Sequence, residues 1–243
     1  MHVNIRDVAI ESVSEGVTKR TLLQRSGVKG QLLVLHHTLL GGKVTFRGAN
    51  REFQHYIISG SGLYRGKYVH GDTSIFVPGN THFGEINEHE IVHSGEGELR
   101  ILSAIYCMSN PNFKWAKPRI KNLNEVEATY SGMIAHQLFT EEEHMLMGAR
   151  RMHSVEVQTH SPSVLLPIHR NPEEFGYILR GEGVVESGTS KYRVSPGSLV
   201  YTPEGEPHSI LNTSDNLPLQ YVAFEFTEQD KSLKEMGNQP NLP

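Results

Sequence analysis

Two segments of the chain repeat one another in the same order. Residues 55–62, His-Tyr-Ile-Ile-Ser-Gly-Ser-Gly, align with 176–183, Gly-Tyr-Ile-Leu-Arg-Gly-Glu-Gly, and residues 71–82 align with 197–208. The offset in numbering grows from 121 at the first pair of segments to 126 at the second, which places extra residues in the second copy near Ser187. Self-similarity over such a distance indicates a duplicated structural unit. The sequence therefore predicts two homologous domains, residues 1–125 and residues 126–243.

Both copies are built from short runs of β-branched, aromatic and aliphatic residues bounded by Gly, Pro or Asn. Examples are residues 31–37, 74–77 and 99–106 in the first copy and 154–158, 198–201 and 219–226 in the second. Closely spaced short strands separated by turn residues are typical of β-sandwiches and small barrels. The fold class is predicted to be all-β. The linker is predicted to be irregular except for one short helix that begins with a capping box at Thr140 and Glu143.

Composition excludes several classes of function. The chain of 243 residues has a net charge of −4 and 37% hydrophobic residues, without a long apolar run. Such a chain is a poor partner for nucleic acid or for an anionic membrane. Cys107 is its single cysteine, and the first residues lack the pattern of a secretory signal, so we expect a soluble cytoplasmic protein.

A set of widely spaced residues in the second copy resembles the two sequence motifs of the cupin superfamily. Glu174 and Gly181 match the end of the first motif. The second motif, glycine followed by Pro-x-Gly-x-x-His-x-x-x-Asn, is matched at Gly197, Pro203, Gly205, His208 and Asn212. The resemblance spans both halves, about residues 20–107 and 150–226, and it implies two tandem jelly-roll β-barrels.

The resemblance also implies a metal site in the second barrel, with His169, Glu174 and His208 as ligands of one divalent transition metal (Mn, Fe, Ni, Zn or Cu). Two imidazoles and a carboxylate leave coordination positions open for substrate or oxygen. One family histidine is missing: either Pro167 stands in its place two residues before His169, or His169 is the first histidine and Asn171 replaces the second. Glu173, His160 or a water molecule are the alternatives for a fourth ligand.

The first copy departs further from the family pattern. His82 aligns with His208, whereas Phe53 and Gly48 stand where the second copy has Glu174 and His169. Two interpretations remain open: His37, His55 and His82 form a relocated metal or proton-transfer site, or the first barrel is structural and serves dimerisation. The remaining histidines carry no spacing signal and are predicted to lie at the surface: His36, His70, His89, His93, His136, His144 and His153.

The leading functional hypothesis is a metal-dependent two-barrel cupin enzyme that acts on a small oxygen-rich metabolite. Cupins of similar size include ureidoglycine aminohydrolases, oxalate decarboxylases and quercetin-type dioxygenases, although the aminohydrolase ligand string is absent here. Glu173 is the candidate general acid or base, and Tyr177 and Tyr201 are candidates for hydrogen bonds to substrate. The alternative is a non-catalytic cupin that binds a sugar or another small molecule. A homodimer is implied by the resemblance alone.

Overall fold

The computed structural model of the protein describes residues 1–27, 30–79, 86–107, 118–130, 133–140, 143, 152–163 and 165–226. These residues form antiparallel β-strands arranged in four sheets, with two 3-10 turns. No helix in the described ranges has the length and apolar character needed to span a bilayer. The predicted all-β fold of two jelly-roll barrels is confirmed, each barrel pairing one seven-stranded sheet with one four-stranded sheet.

The first barrel contains eleven of the described strands. Its large sheet runs, in spatial order, β12 (Arg119–Asn122), β9 (Thr73–Val77), β6 (Arg51–Ser59), β11 (Leu99–Cys107), β4 (Gly30–Leu39), β3 (Val17–Gly27) and β2 (Glu11–Ser14). Its small sheet runs β5 (Lys43–Ala49), β10 (Ile86–His93), β7 (Ser61–Tyr64) and β8 (Lys67–His70).

The second barrel repeats this arrangement strand for strand. Its large sheet runs β1 (His2–Asn4), β20 (Ser198–Thr202), β17 (Glu173–Arg180), β22 (Leu219–Phe226), β15 (Met152–His160), β14 (Ile134–Phe139) and β13 (Ala128–Tyr130). Its small sheet runs β16 (Leu165–His169), β21 (His208–Asn212), β18 (Gly183–Ser187) and β19 (Ser190–Val194).

One edge strand of each large sheet comes from the segment that lies, in the sequence, just before the strands of the other barrel. The N-terminal strand β1 pairs with β20 of the second barrel, and β12 pairs with β9 of the first. We call residues 1–8 and 119–126 the two arms. The predicted domain boundary between residues 125 and 126 falls after β12, but that division did not foresee the placement of the first arm.

The arms are held by matching contacts. Asn4 caps the 3-10 turn Ile5–Asp7 by accepting a hydrogen bond from the Arg6 amide, and its Nδ2 donates to Ser198 Oγ at 3.0 Å. Asn122 caps the turn Leu123–Glu125 in the same way and donates to Thr73 Oγ1 at 2.9 Å. A side-chain cap of this kind satisfies a backbone N–H that the turn leaves free.

The two large sheets pack against each other through one continuous hydrophobic cluster. It includes Tyr56, Leu102 and Tyr106 of the first barrel and Phe175 and Phe224 of the second, all fully buried. Burying side chains of this size stabilises a fold by about 1.5–3 kcal/mol each. Each barrel also encloses its own core, and the one inside the first barrel is the larger.

The prediction of an irregular linker between residues 109 and 150 is wrong in part, because β12, β13 and β14 pair into the two large sheets. The predicted capping box is present. Thr140 Oγ1 accepts a hydrogen bond from the Glu143 amide at 3.2 Å, and Glu143 Oε2 accepts one from the Thr140 amide at 3.0 Å, the reciprocal pattern of a capping box. The rest of the predicted helix, like His82, His144 and the polar tail after residue 226, lies outside the described residues.

Candidate functional site

The three predicted ligands of the second barrel come together from three strands. His169 ends β16 and lies opposite His208 at the start of β21, with ring centroids 4.2 Å apart. Glu174 lies on β17, where side-chain alternation turns Glu174, Gly176 and Ile178 to the interior of the barrel. Its Oε1 is 2.9 Å from His208 Nε2. The strand geometry thus gathers two imidazoles and a carboxylate at one end of the barrel.

Backbone carbonyls hold both imidazole rings in place. His169 Nδ1 donates to the Pro167 carbonyl at 2.9 Å, and His208 Nδ1 donates to the Glu206 carbonyl at 2.9 Å. A neutral histidine that donates through Nδ1 keeps a lone pair on Nε2, the arrangement typical of a ligating imidazole. Pro167 therefore contributes its carbonyl at the position where the resemblance expects another histidine.

Glu174 is buried in a polar setting. Burial opposes its ionisation, but contact with His208 and a hydrogen bond from Asn171 Nδ2 at 2.8 Å hold the pKa of Glu174 below its usual value. The same contact raises the pKa of His208, although burial acts in the opposite direction. The pair is therefore an anionic carboxylate facing an imidazole that readily takes a positive charge.

A cavity of about 40 Å³ lies beside these three residues. A volume of this size holds about three water molecules. Its polar lining includes Gln158, Asn171 and Tyr221, and its apolar lining includes Val185 and Ile210. The Tyr221 hydroxyl donates to Gln158 Oε1. The sequence motifs do not mark Gln158 and Tyr221, although alternation along β15 and β22 turns both side chains to the same interior.

Neither protein candidate for a fourth ligand reaches the cavity lining. His160 is fully buried, with its Nε2 3.3 Å from Gln158 Oε1 and its ring stacked on that of Tyr221, and it is not part of the cavity lining. Glu173 points to the opposite face of β17. Within the described ranges, no three His, Cys, Asp or Glu side chains form a ready-made metal group. The donor set nonetheless fits a metal in its chemistry, with one anionic carboxylate and two imidazoles that donate through Nδ1. A metal would take the place of the proton that His208 Nε2 shares with Glu174.

Comparison with known proteins agrees with the architecture. Residues 153–225, which carry this site, match the family model of the cupin domain. This stretch of the second barrel is therefore a cupin domain by its sequence. Over 62 residues the chain is also 36% identical to the uncharacterized protein MJ1618 of Methanocaldococcus jannaschii, and the match spans 49% of that relative's length.

Two solved structures show the same two-barrel cupin fold. The protein YlbA from E. coli is 16% identical, with a TM-score of 0.70 over 95% of this chain and 92% of that one. Oxalate decarboxylase of Bacillus subtilis, described with Mn(II) centres, is 14% identical, with a TM-score of 0.70 over 100% of this chain and 81% of that one. At these identities the likeness extends to the fold alone.

The three residues predicted to be catalytic lie away from the cavity. Glu173 forms an ion pair with Arg25 of the first barrel and accepts a hydrogen bond from the Tyr201 hydroxyl at 3.0 Å. Tyr177 packs in the hydrophobic cluster between the two cupin barrels. Odd-numbered positions of β17 face the partner barrel because successive side chains point to opposite faces of a strand. These placements favour a role in joining the barrels.

Strand register identifies the counterpart of His208 in the first barrel as His89. Gly62 of β7 aligns with Gly183 of β18. Gly183 pairs with Asn212 and Gly62 pairs with His93, so Asn212 corresponds to His93 and, four residues earlier, His208 corresponds to His89. The prediction that His89 lies at the surface is wrong, since it is 6% exposed, and so is the same prediction for His36, which is 3% exposed. His89 faces the interior of the first barrel beside Phe46, and His36 faces Tyr177 of the second barrel. The spacing between motifs does not reveal either placement.

The interior of the first cupin barrel is filled with rings. Phe46 and Phe53 stand where the second barrel has His169 and Glu174, and both contact His89. His55 replaces Gly176, with its Nε2 2.8 Å from His89 Nε2 and its Nδ1 2.9 Å from Ser103 Oγ. Burial holds the pKa of His55 well below its usual value and lowers that of His89 to about 4, so the pair is neutral near pH 7. His37 is buried against Phe46, so two of the three residues of the relocated-site interpretation lie in a packed core.

Proposed function

We propose that this cupin is a metal-dependent enzyme that acts on a small oxygen-rich metabolite in the second barrel. The observation that carries the proposal is the contrast between two equivalent interiors. His169, Glu174 and His208 face a cavity in the second barrel, whereas Phe46, Phe53 and His55 fill the first. A barrel kept open and lined with metal-ligating groups is suited to binding and chemistry.

In this proposal His169, Glu174 and His208 hold one divalent transition metal, with Mn, Fe, Ni, Zn and Cu as candidates. When bound, the metal supplies a Lewis acid that polarises an oxygen of the substrate. Glu174 supplies the negative charge, and the backbone carbonyls of Pro167 and Glu206 keep both imidazoles oriented. A ligand beside them is within the lining formed by Asn171 and Tyr221, which offer an amide and a hydroxyl for hydrogen bonds.

The size of the cavity limits the substrate. About 40 Å³ accommodates only a few non-hydrogen atoms, which favours short organic acids, ureides or small polyols over a flavonoid or an oligosaccharide. The reaction classes consistent with this site are dioxygenation, hydrolysis, decarboxylation and isomerisation. The oxalate decarboxylase likeness supports a small acid by analogy of fold only. The proposal includes a cytoplasmic homodimer, supported by the single cysteine and by resemblance.

The second candidate function is non-catalytic binding of a small molecule. It is favoured by one observation, the carbonyl of Pro167 in the place of a histidine, which leaves the site one ligand short of the family set. A module that binds without catalysis needs the cavity and its hydrogen-bonding groups but no complete metal shell.

Elemental analysis of protein purified without chelators distinguishes the two functions. We expect about one equivalent of a transition metal per chain in the wild type and its loss in Glu174→Gln and His208→Ala. The variant His55→Gln, which changes the equivalent interior of the first barrel, is the matched control and should keep the metal. Wild-type protein that takes up none of the five metals on reconstitution would favour the binding module.

Activity is then sought with the metal-loaded protein and short acids, ureides and polyols. Consumption of oxygen reports a dioxygenase, release of carbon dioxide a decarboxylase, and release of ammonia from a ureide a hydrolase. Any activity that belongs to this site disappears in Glu174→Gln and persists in His55→Gln.

A further inference from the structure

A groove of about 490 Å³ lies between the two barrels, on the face of β17 opposite the ligand side chain of Glu174. Three separate parts of the chain form it: the first arm with Ile5 and Arg6, the large sheet of the first barrel with Arg20 and Arg100, and the second barrel with Tyr177. It is about twelve times larger than the cavity at His208, since 490 Å³ compares with 40 Å³.

The charge of the groove is positive. Its lining carries Arg6, Arg20 and Arg100 against one acidic residue among the described lining, Glu98. Glu98 is engaged by Arg100, whose Nε lies 2.8 Å from Glu98 Oε2. Within the described ranges no carboxylate pairs with Arg6 or Arg20. Guanidinium groups in such a setting are ready donors for carboxylate or phosphate oxygens.

Two neutral rings lie beside the arginines. His36 and Tyr177 stack with their centroids 6.3 Å apart, and both are largely buried. Burial and the neighbouring Arg20 lower the pKa of His36 to about 3, while burial raises the pKa of Tyr177 to about 12 against the opposing effect of Arg100 and Arg20. Neither ring therefore carries a charge near pH 7, and neither neutralises the arginines.

The fold itself does not require this basic surface. The pseudo-symmetric position on the other side of the interface is built from equivalent strands, and the three arginines are absent there. By register, Arg6, Arg20 and Arg100 correspond to Asn124, His136 and Gln220. The two copies share their packing, but only the side that forms the groove carries the three arginines. The arginines there are therefore not needed to hold the barrels together.

The tyrosines at the two positions differ in the same sense. Tyr56, the counterpart of Tyr177, donates its hydroxyl to Asp72 at 2.8 Å. The residue equivalent to Asp72 is Gly197, because each accepts the first amide hydrogen bond of an arm turn. Tyr177 thus lacks the carboxylate that occupies its counterpart, and it lines the groove. Where Tyr56 meets the carboxylate of Asp72, Tyr177 faces the open groove beside the arginines.

We propose that this inter-barrel groove binds a small organic anion that bears carboxylate or phosphate groups. Arg20 and Arg6 hold the charged oxygens, Arg100 shifts between Glu98 and the ligand, and the Tyr177 hydroxyl donates a further hydrogen bond. The apolar part of the ligand lies on Ile10 and Leu40, which are 60% and 67% exposed at the groove. This site is separate from the metal centre and adds to the proposed function.

Isothermal titration calorimetry at low ionic strength tests the proposal with two probes, citrate for carboxylates and pyrophosphate for phosphates. We expect saturable 1:1 binding of at least one probe to the wild type, and the tighter probe identifies the ligand chemistry. Arg20→Gln removes a charge-assisted hydrogen bond and should weaken binding by about 10- to 100-fold. Tyr177→Phe, which keeps the ring packing, should weaken it by a smaller factor.

Two controls locate the binding. Arg47→Gln removes an exposed arginine that pairs with Glu88 on the small sheet of the first barrel, and it should bind the probes like the wild type. Glu174→Gln, which alters the metal centre, should also bind them unchanged, so failure of the groove and failure of the proposed enzyme are separable. Absence of saturable binding of both probes to the folded wild type overturns the proposal, as does equal affinity in Arg20→Gln.

Discussion

Glu173 and Glu174 are consecutive in the sequence, and their carboxylates serve opposite faces of one strand. Glu174 turns inward and contacts His208 Nε2 at 2.9 Å, while Glu173 turns outward and binds Arg25 of the other barrel. Because successive side chains of a β-strand point to opposite faces, the two carboxylates lie in different surroundings. One residue belongs to the candidate metal centre, and its neighbour joins the two barrels.

Exchange of Glu173 for Gln should lower stability and leave the second-barrel site intact. The side chains of Glu173 and Arg25 are 12% and 21% exposed, so the variant leaves a largely buried guanidinium without its partner. We expect a loss of about 2 kcal/mol in the free energy of unfolding, measured by urea denaturation. Metal content should equal that of the wild type, and loss of metal would instead assign Glu173 to the site.

A side chain placed at position 176 should close the cavity of the second barrel. Gly176→His copies the first barrel, where His55 fills the equivalent space. We expect the variant to fold and to lose metal uptake, measured by elemental analysis. Gly176→Ala is the matched control: its added Cβ would lie 3.5 Å from the Tyr221 ring, an ordinary contact, so metal uptake should persist. Equal uptake by Gly176→His would contradict the assignment of the cavity.

The buried histidines of the first barrel should make the protein sensitive to acid. The pKa of His89 is lowered by burial to about 4 from the ordinary 6.5, so below pH 6.5 the unfolded chain takes up a proton that the folded chain excludes. The contribution of neutral His89 to the free energy of unfolding is complete above pH 6.5 and is lost progressively as the pH falls to 4. His89 alone should remove about 3 kcal/mol from the free energy of unfolding over that interval.

Chemical denaturation at a series of pH values measures this effect. His89→Gln keeps a polar atom facing His55 and should show a shallower loss of stability between pH 6.5 and pH 4. The control His70→Gln changes an exposed histidine and should follow the wild type. Parallel curves for His89→Gln and the wild type would rule out His89 as a source of the acid sensitivity.

Each capping asparagine should stabilise the barrel that its arm joins, the second barrel for Asn4 and the first barrel for Asn122. Asn4→Ala and Asn122→Ala each remove a cap and a hydrogen bond to a strand hydroxyl, at a cost of about 1–2 kcal/mol. Hydrogen exchange followed by mass spectrometry should show faster exchange in β20 for Asn4→Ala and in β9 for Asn122→Ala. If only the amides of the arm exchanged faster, the arm would not stabilise the sheet that it joins.

The duplication and the all-β fold could be predicted from the sequence, because turn glycines and prolines at fixed intervals separate the strands. The same motifs single out His169, Glu174 and His208, which lie together in the structure, and their role as metal ligands stays a prediction. The turn residues also align His82 with His208, since Pro78 follows β9 as Pro203 follows β20. Strand register shows that His89 is the counterpart. Alignment by turn residues fails here because the two copies differ in length between the proline and the following strand.

The arms and the inter-barrel contacts escaped prediction for a different reason. Asn4-Ile5-Arg6-Asp7-Val8 and Asn122-Leu123-Asn124-Glu125-Val126 are similar enough to be recognised as a repeat. Their destination depends on which sheet edge each finds in space, and no local pattern specifies that. The outward placement of Glu173 could have been inferred from the alternation that turns Glu174 inward, yet its partner Arg25 lies in a distant part of the chain.

The crossing of the two arms has a consequence for how the chain unfolds. The second barrel completes its large sheet with His2–Asn4, which lie just before the strands of the first barrel, and the first barrel completes its own with Arg119–Asn122, which lie just before β13 of the second. Each edge strand is thus hydrogen-bonded to one barrel and joined by the chain to the next strand of the other, in addition to the shared cluster of aromatic rings. Two barrels connected in this way melt as one cooperative unit, with a single calorimetric transition whose enthalpy corresponds to both.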